Sequence, residues 1–78
     1  MTGFSRSGLI YHLEYEGFST EDATYAVDRL GVDWNRQAAR SAEQYLEMTS
    51  FSLSGLIEQL EYEGYTRAEA GYGANAAY

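Results

Sequence analysis

Residues 4–25 read FSRSGLIYHLEYEGFSTEDATY, and residues 51–72 read FSLSGLIEQLEYEGYTRAEAGY. Thirteen of the 22 aligned positions are identical, at a constant offset of 47 residues. A duplication of this kind indicates that one structural unit is used twice. It also separates the positions that the unit needs from those at which it tolerates a change.

The composition limits the class of protein. The 78 residues suffice for one small domain with a thin core. There is no Cys and a single His, so neither disulfides nor a metal site is expected, and no glycine-rich phosphate loop or other cofactor motif occurs. The net charge of −7 disfavours binding to nucleic acid and direct contact with an anionic membrane. It fits a basic protein partner.

The spacing of glycine, with no proline and no alternating β-branched run, predicts an all-α fold of five helices. Each helix is expected to begin after a residue whose side chain can accept a hydrogen bond from a first-turn amide. These capping residues are Ser5, Ser19, Asp33, Ser52 and Thr66. Gly17, Gly31 and Gly64 are expected to end three of the helices, because glycine adopts the left-handed conformation at little cost.

The expected architecture is a single domain, 1–78, in which a long central helix joins two helical hairpins. Repeat one spans 4–31, the linking helix 33–49 and repeat two 51–78. The apolar residues of the linking helix occupy more than one stripe, so we expect it to be contacted from two sides. The last helix contains two glycines and is expected to fray.

Apolar residues at helical spacing predict which faces are buried. In repeat one these are Leu9, Ile10 and Leu13 on the first helix and Ala23, Ala26, Val27 and Leu30 on the second. In repeat two the stripe of the first helix is Leu56, Ile57 and Leu60.

A helical hairpin also permits a DNA-binding interpretation. The second helix would then enter the groove, but it carries Glu21, Asp22 and Asp28 against a single Arg29. A DNA-binding face needs clustered Lys or Arg, so a plain helical hairpin is favoured.

A Glu-Tyr-Glu triplet closes the first helix of each repeat, and two interpretations of it stay open. It is either a half-buried tyrosine between solvated acids or part of a partner-binding surface. Acids near a helix C-terminus oppose the helix dipole, so keeping them in both copies suggests a use. Tyr11 is replaced by Glu58 in the second copy and is expected to be exposed. The candidate partner-binding residues are Tyr11, Glu14, Tyr15, Glu16, Glu61, Tyr62 and Glu63.

Catalysis is not expected, and no catalytic residue is assigned. Paired carboxylates in glycosidases face each other across a cleft, whereas the acids here lie on exposed stripes. His12 has no Ser or Cys partner at a suggestive spacing, and its counterpart in the second copy is Gln59.

Several ordered motifs resemble the host cell surface-exposed lipoprotein (Ltp) family, over about residues 4–75. The motifs are Ser7-Gly8-Leu9-Ile10, Leu13-Glu14-Tyr15-Glu16-Gly17, Ala23-Thr24-Tyr25-Ala26-Val27-Asp28, Asp33-Trp34-Asn35, Ala42-x-x-Tyr45-Leu46 and Ser54-Gly55-Leu56-Ile57. The resemblance implies a lipid-anchored protein on the outer face of the membrane or cell wall of a Gram-positive bacterium. The anchor would belong to a longer parent protein, since this sequence has no signal peptide or lipidated Cys.

The resemblance also implies a function. Phage-encoded members of the family are associated with superinfection exclusion, in which a surface lipoprotein hinders the entry of DNA from an incoming phage. The implied partner is a protein, with a basic segment of a phage tail or injection component as the expected target, and the module is expected to be monomeric. The alternative is a structural or adhesive module of the cell envelope with no phage role.

Overall fold

The structure, a computed structural model, describes residues 4–78. These residues form five α-helices and no strand, which confirms the all-α prediction. In chain order the helices are α1 (Arg6–Tyr15), α2 (Thr20–Asp28), α3 (Trp34–Met48), α4 (Leu53–Tyr62) and α5 (Arg67–Ala77). Helices α1 and α2 form the first hairpin, and α4 and α5 form the second.

All five helices begin at the predicted capping residues. Each capping side chain accepts a hydrogen bond from the backbone N–H three residues later, at 2.9–3.1 Å. Thr66 and Glu69 form a complete capping box, in which each side chain pairs with the backbone of the other. Gly17 and Gly64 end the first helix of each hairpin with the same φ of +108°, and Gly31 follows α2 with φ +64°.

The hydrophobic core lies among α3, α4 and α5. Its buried side chains are Ala38, Ala42, Leu56, Leu60, Tyr65, Ala70 and Ala74. Helix α3 lies against α5 and α4, and it approaches α5 closely at Gly73. A Cβ atom at Gly73 would stand 2.5 Å from the carbonyl carbon of Ala38. Gly73, one of the two glycines from which fraying was predicted, therefore permits close packing of α3 on α5. Helix α5 is continuous to Ala77.

The first hairpin is much less buried than the sequence predicts. Leu9, Ile10 and Leu13 on α1 are only half-buried. On α2, Ala23 and Val27 are buried as predicted, but Ala26 and Leu30 are exposed. The cause is the position of α3, which packs on the second hairpin and, within residues 4–78, makes few contacts with α1 or α2. The two helices that contact α3, α4 and α5, therefore both belong to the second hairpin.

The two hairpins meet where the start of α1 contacts the turn between α4 and α5. The Ser5 hydroxyl donates to the Glu63 carbonyl at 2.9 Å, and the Ser7 hydroxyl donates to the Gly64 carbonyl at 2.7 Å. Ser5 is buried and also caps α1 by accepting from the Gly8 N–H. This contact holds the first hairpin by one end and leaves the side of α1 open.

Candidate functional site: an open groove along α1

A groove of about 700 Å³ runs along the open side of α1. Most of its lining comes from one face of the helix, because positions 4, 8, 11, 12 and 15 recur at helical spacing. The opposite wall comes from the end of α4. The lining residues are Phe4, Ser5, Gly8, Leu9, Tyr11, His12, Tyr15 and Glu63.

Two tyrosines four residues apart stand at the mouth of the groove. Tyr11 is 70% exposed and Tyr15 is 83% exposed. The exposure of Tyr11 agrees with the expectation drawn from Glu58 in the second copy. The half-buried interpretation of the triplet tyrosines is wrong, since Tyr62 is also 79% exposed. A helix that keeps aromatic side chains in water at these positions has the composition of an interaction surface.

Glu63 supplies the one carboxylate of the groove. It caps the C-terminus of α4 beside Gly64, at the junction with Ser5. Partial burial raises the pKa of its carboxyl, because desolvation disfavours the charged form. A cation bound nearby would stabilise the ionised carboxylate and lower this pKa again, so Glu63 is suited to pair with a basic side chain.

The other predicted acids do not converge on the groove. Glu14 accepts a hydrogen bond from the Thr20 hydroxyl, and Glu61 pairs with Arg67 at 3.1 Å. Glu16 is exposed at the C-cap of α1. Of the seven predicted partner-binding residues, the groove brings together three, Tyr11, Tyr15 and Glu63. Glu14, Glu16, Glu61 and Tyr62 lie outside its lining.

Five lining residues were not among the predicted site residues: Phe4, Ser5, Gly8, Leu9 and His12. The helical spacing of Leu9, Ile10 and Leu13 predicts Leu9 as a core residue, as it does for its counterpart Leu56. No local feature of the sequence distinguishes these two leucines. The difference between His12 and Gln59 was visible, but it indicated only that this position tolerates change.

The arrangement offers apolar contact area, tyrosine hydroxyls and a carboxylate, which are the chemical groups of a protein-binding surface. No cluster of acidic or His side chains in residues 4–78 could hold a metal ion. Over the same range, no helix is long and apolar enough to span a membrane.

Comparisons with known proteins place the chain in a family. A model of the family described as host cell surface-exposed lipoprotein matches residues 1–30 and again residues 33–76. A search of curated proteins found no match, and a search of solved structures found none either. The two matched stretches together cover nearly the whole chain. The chain therefore belongs to the host cell surface-exposed lipoprotein family.

Proposed function

We propose that this chain is a non-enzymatic, extracellular protein-binding module of a surface lipoprotein, and that it acts in superinfection exclusion by engaging the injection machinery of an incoming phage. The observation that carries the binding role is the open groove with Tyr11, Tyr15 and Glu63. In this proposal a lipid anchor on the parent protein holds the module at the cell surface.

The exposed tyrosines support a binding role through their energetics. Tyrosine is enriched among the few residues that dominate binding energy, because its ring is large and its hydroxyl can still find a polar partner. Tyr11 and Tyr15 are largely exposed in the free chain. Most of their apolar surface would therefore be buried only when a partner covers them, and that burial would contribute to the binding energy.

The charge of the chain favours a basic partner. At −7 and without a single Lys, the module attracts cationic segments over the screening distance of the medium. Exposed rim charges of this kind act mainly on the association rate, whereas the tyrosines and Glu63 would act on the lifetime of the complex.

An infection assay tests this proposal. The domain is displayed on a phage-sensitive host behind a signal peptide and a lipidated Cys, and phage adsorption and DNA entry are followed separately. We expect normal adsorption with blocked DNA entry. Glu63→Lys combined with Glu16→Lys should restore entry, because it removes the carboxylate that lines the groove and an exposed acid next to Tyr15. Thermal melting first shows that the variant folds.

The matched control is Glu43→Lys with Glu47→Lys on the exposed side of α3, which changes the net charge by the same amount. This variant should still block DNA entry. Unhindered entry across a broad phage panel with the unmodified domain would contradict the phage role and leave the envelope module as the explanation. Restoration of entry by both double variants would show that net charge, and not a defined surface, is responsible.

A further inference from the structure

The duplication provides an internal comparison of two hairpins, of which only one is covered by α3. Leu56 and Leu60 are fully buried, whereas the identical Leu9 and Leu13 are half-buried. Tyr65 is 3% exposed, and its counterpart Phe18 is 51% exposed. The same face of the same unit is therefore core in the second hairpin and open surface in the first.

Helix α3 makes specific contacts with that face of the second hairpin. The Tyr45 ring packs edge-on against Phe51, with the ring centroids 5.8 Å apart. The Tyr45 hydroxyl accepts a hydrogen bond from Gln59 Nε2 at 3.3 Å. The counterparts of Phe51 and Gln59 are Phe4 and His12, and both line the groove. At Phe4, Leu9 and His12 the groove thus coincides with the surface that α3 covers on the second hairpin. Tyr11 and Tyr15 lie beyond that surface, since their counterparts Glu58 and Tyr62 stay exposed beside α3.

We propose that the groove binds an amphipathic α-helix of a partner protein with the residue pattern of α3. The pattern is two small side chains four residues apart, as in Ala38 and Ala42, followed three residues later by an aromatic side chain, as in Tyr45. A basic residue on this helix would meet Glu63. The inference rests on the proposed protein-binding role and names the kind of segment that is bound.

A second copy of this chain is the less suitable occupant. Its own α3 has Ala38 and Ala42 fully buried against its second hairpin, so this surface is not available without unfolding. Two copies would also bring together net charges of −7 each. A separate helix with basic residues meets neither obstacle.

Two differences between the hairpins define the fit of the partner helix. Ala26 replaces Gly73, so a helix on the first hairpin must lie farther from α2 than α3 lies from α5. Phe18 replaces Tyr65, whose hydroxyl pairs with Ser41 at 2.9 Å. A partner helix should therefore carry a small apolar residue where α3 has Ser41, because Phe18 has no hydroxyl with which a serine could pair.

The test uses a labelled peptide with the sequence of residues 33–49 and the whole chain as receptor, followed by fluorescence anisotropy and by amide chemical shifts. We expect saturable binding with shifts confined to α1, α2 and the groove residue Glu63. The Ser41→Ala peptide should bind more tightly than the original. In the receptor, Ala26→Gly should raise affinity, because it restores the close approach that Gly73 permits.

Phe4→Ser and Tyr62→Ser form a matched pair, since both aromatic side chains are exposed and only Phe4 lines the groove and corresponds to Phe51, which Tyr45 of α3 contacts. Phe4→Ser should weaken peptide binding by at least about fivefold, and Tyr62→Ser should leave it unchanged. Absence of saturable binding, or shifts centred on α4 and α5, overturns the inference. So does a dimer of the chain that Phe4→Ser dissociates, because the second copy would then fill the groove.

The outcomes separate this inference from the proposed function. Peptide binding in the groove by a domain that has no effect on phage entry supports the helix-binding site and contradicts the phage role. Phage exclusion by a domain that does not bind the peptide overturns the helix-binding site alone.

Discussion

At the scale of single residues, equivalent positions of the two repeats differ in burial and in hydrogen bonding. Tyr65 is buried and pairs its hydroxyl with that of Ser41 at 2.9 Å, whereas Phe18 has no hydroxyl and is exposed. Burial raises the pKa of Tyr65, and the bond from Ser41 lowers it in part. The phenol is therefore held in its neutral form in the folded chain.

Replacing Tyr65 with Phe should lower the free energy of unfolding by about 1 kcal/mol, because the buried Ser41 hydroxyl loses its partner. Adding Ser41→Ala should recover much of this loss, since neither hydroxyl then remains unpaired. Urea unfolding of the two single variants and the double variant measures the coupling. Additive effects would show that the two hydroxyls do not stabilise each other.

Because the pKa of Tyr65 is raised, Tyr65→Phe should also change how the free energy of unfolding depends on pH. The stability gained by keeping the phenol neutral is complete below its unfolded pKa, near 10, and is lost as the pH rises through the folded value. Tyr65→Phe should flatten this alkaline loss of stability.

At the scale of helices, the sequence predicted where each element begins and ends but not how deeply it is buried. The caps at Ser5 and Ser52 and the positive φ of Gly17 and Gly64 depend on neighbours within a few residues, so local chemistry suffices. Burial depends on the neighbouring helix, and no local feature shows that α3 covers only the second hairpin.

Substitution of the two glycines of α5 allows the contribution of helix propensity to be measured apart from that of helix packing. A Cβ at Gly73 would stand 2.5 Å from the Ala38 carbonyl carbon, but nothing lies within 4 Å of a Cβ at Gly71. Gly73→Ala should destabilise the chain by about 1–3 kcal/mol, because α3 and α5 must move apart. Gly71→Ala should stabilise it by up to about 1 kcal/mol through propensity alone. Thermal unfolding of both variants checks the pair, and equal stabilisation would contradict the close approach of the helices.

At the scale of the whole molecule, the candidate site depends on the junction between the hairpins. Tyr11 was predictable as exposed from its replacement by Glu58, whereas the sequence left open whether Tyr15 is half-buried. Glu63 reaches both from the other repeat. That meeting depends on the hydrogen bonds of Ser5 and Ser7 to the α4–α5 turn. The counterpart serines Ser52 and Ser54 lie in a nearly identical sequence but do not make this contact, and their hydroxyls lie 3.4 Å from each other. The serines alone therefore could not reveal which copy forms the junction.

A comparison of Gly17→Ala with Gly64→Ala would measure how much this junction contributes to stability. Both have φ +108°, so substitution by alanine imposes the same backbone strain, about 1–2 kcal/mol. A Cβ at Gly17 would meet open space, whereas one at Gly64 would collide with the hydroxyls of Ser7 and Ser5. Gly64→Ala should therefore destabilise the chain by about 1–2 kcal/mol more than Gly17→Ala, because it disrupts two hydrogen bonds.

A Ser7→Ala background is the control, since it removes the nearest colliding atom. In this background the two glycine substitutions should approach the same effect on urea unfolding. A difference that persists unchanged would mean that the α4–α5 turn is strained for another reason and that the serines do not hold the hairpins together. If the serines hold the hairpins together, Gly64→Ala should also move Glu63 away from α1. The amide shifts of Tyr11 and Tyr15 should then change, while those of Tyr25 on α2, which does not line the groove, should not.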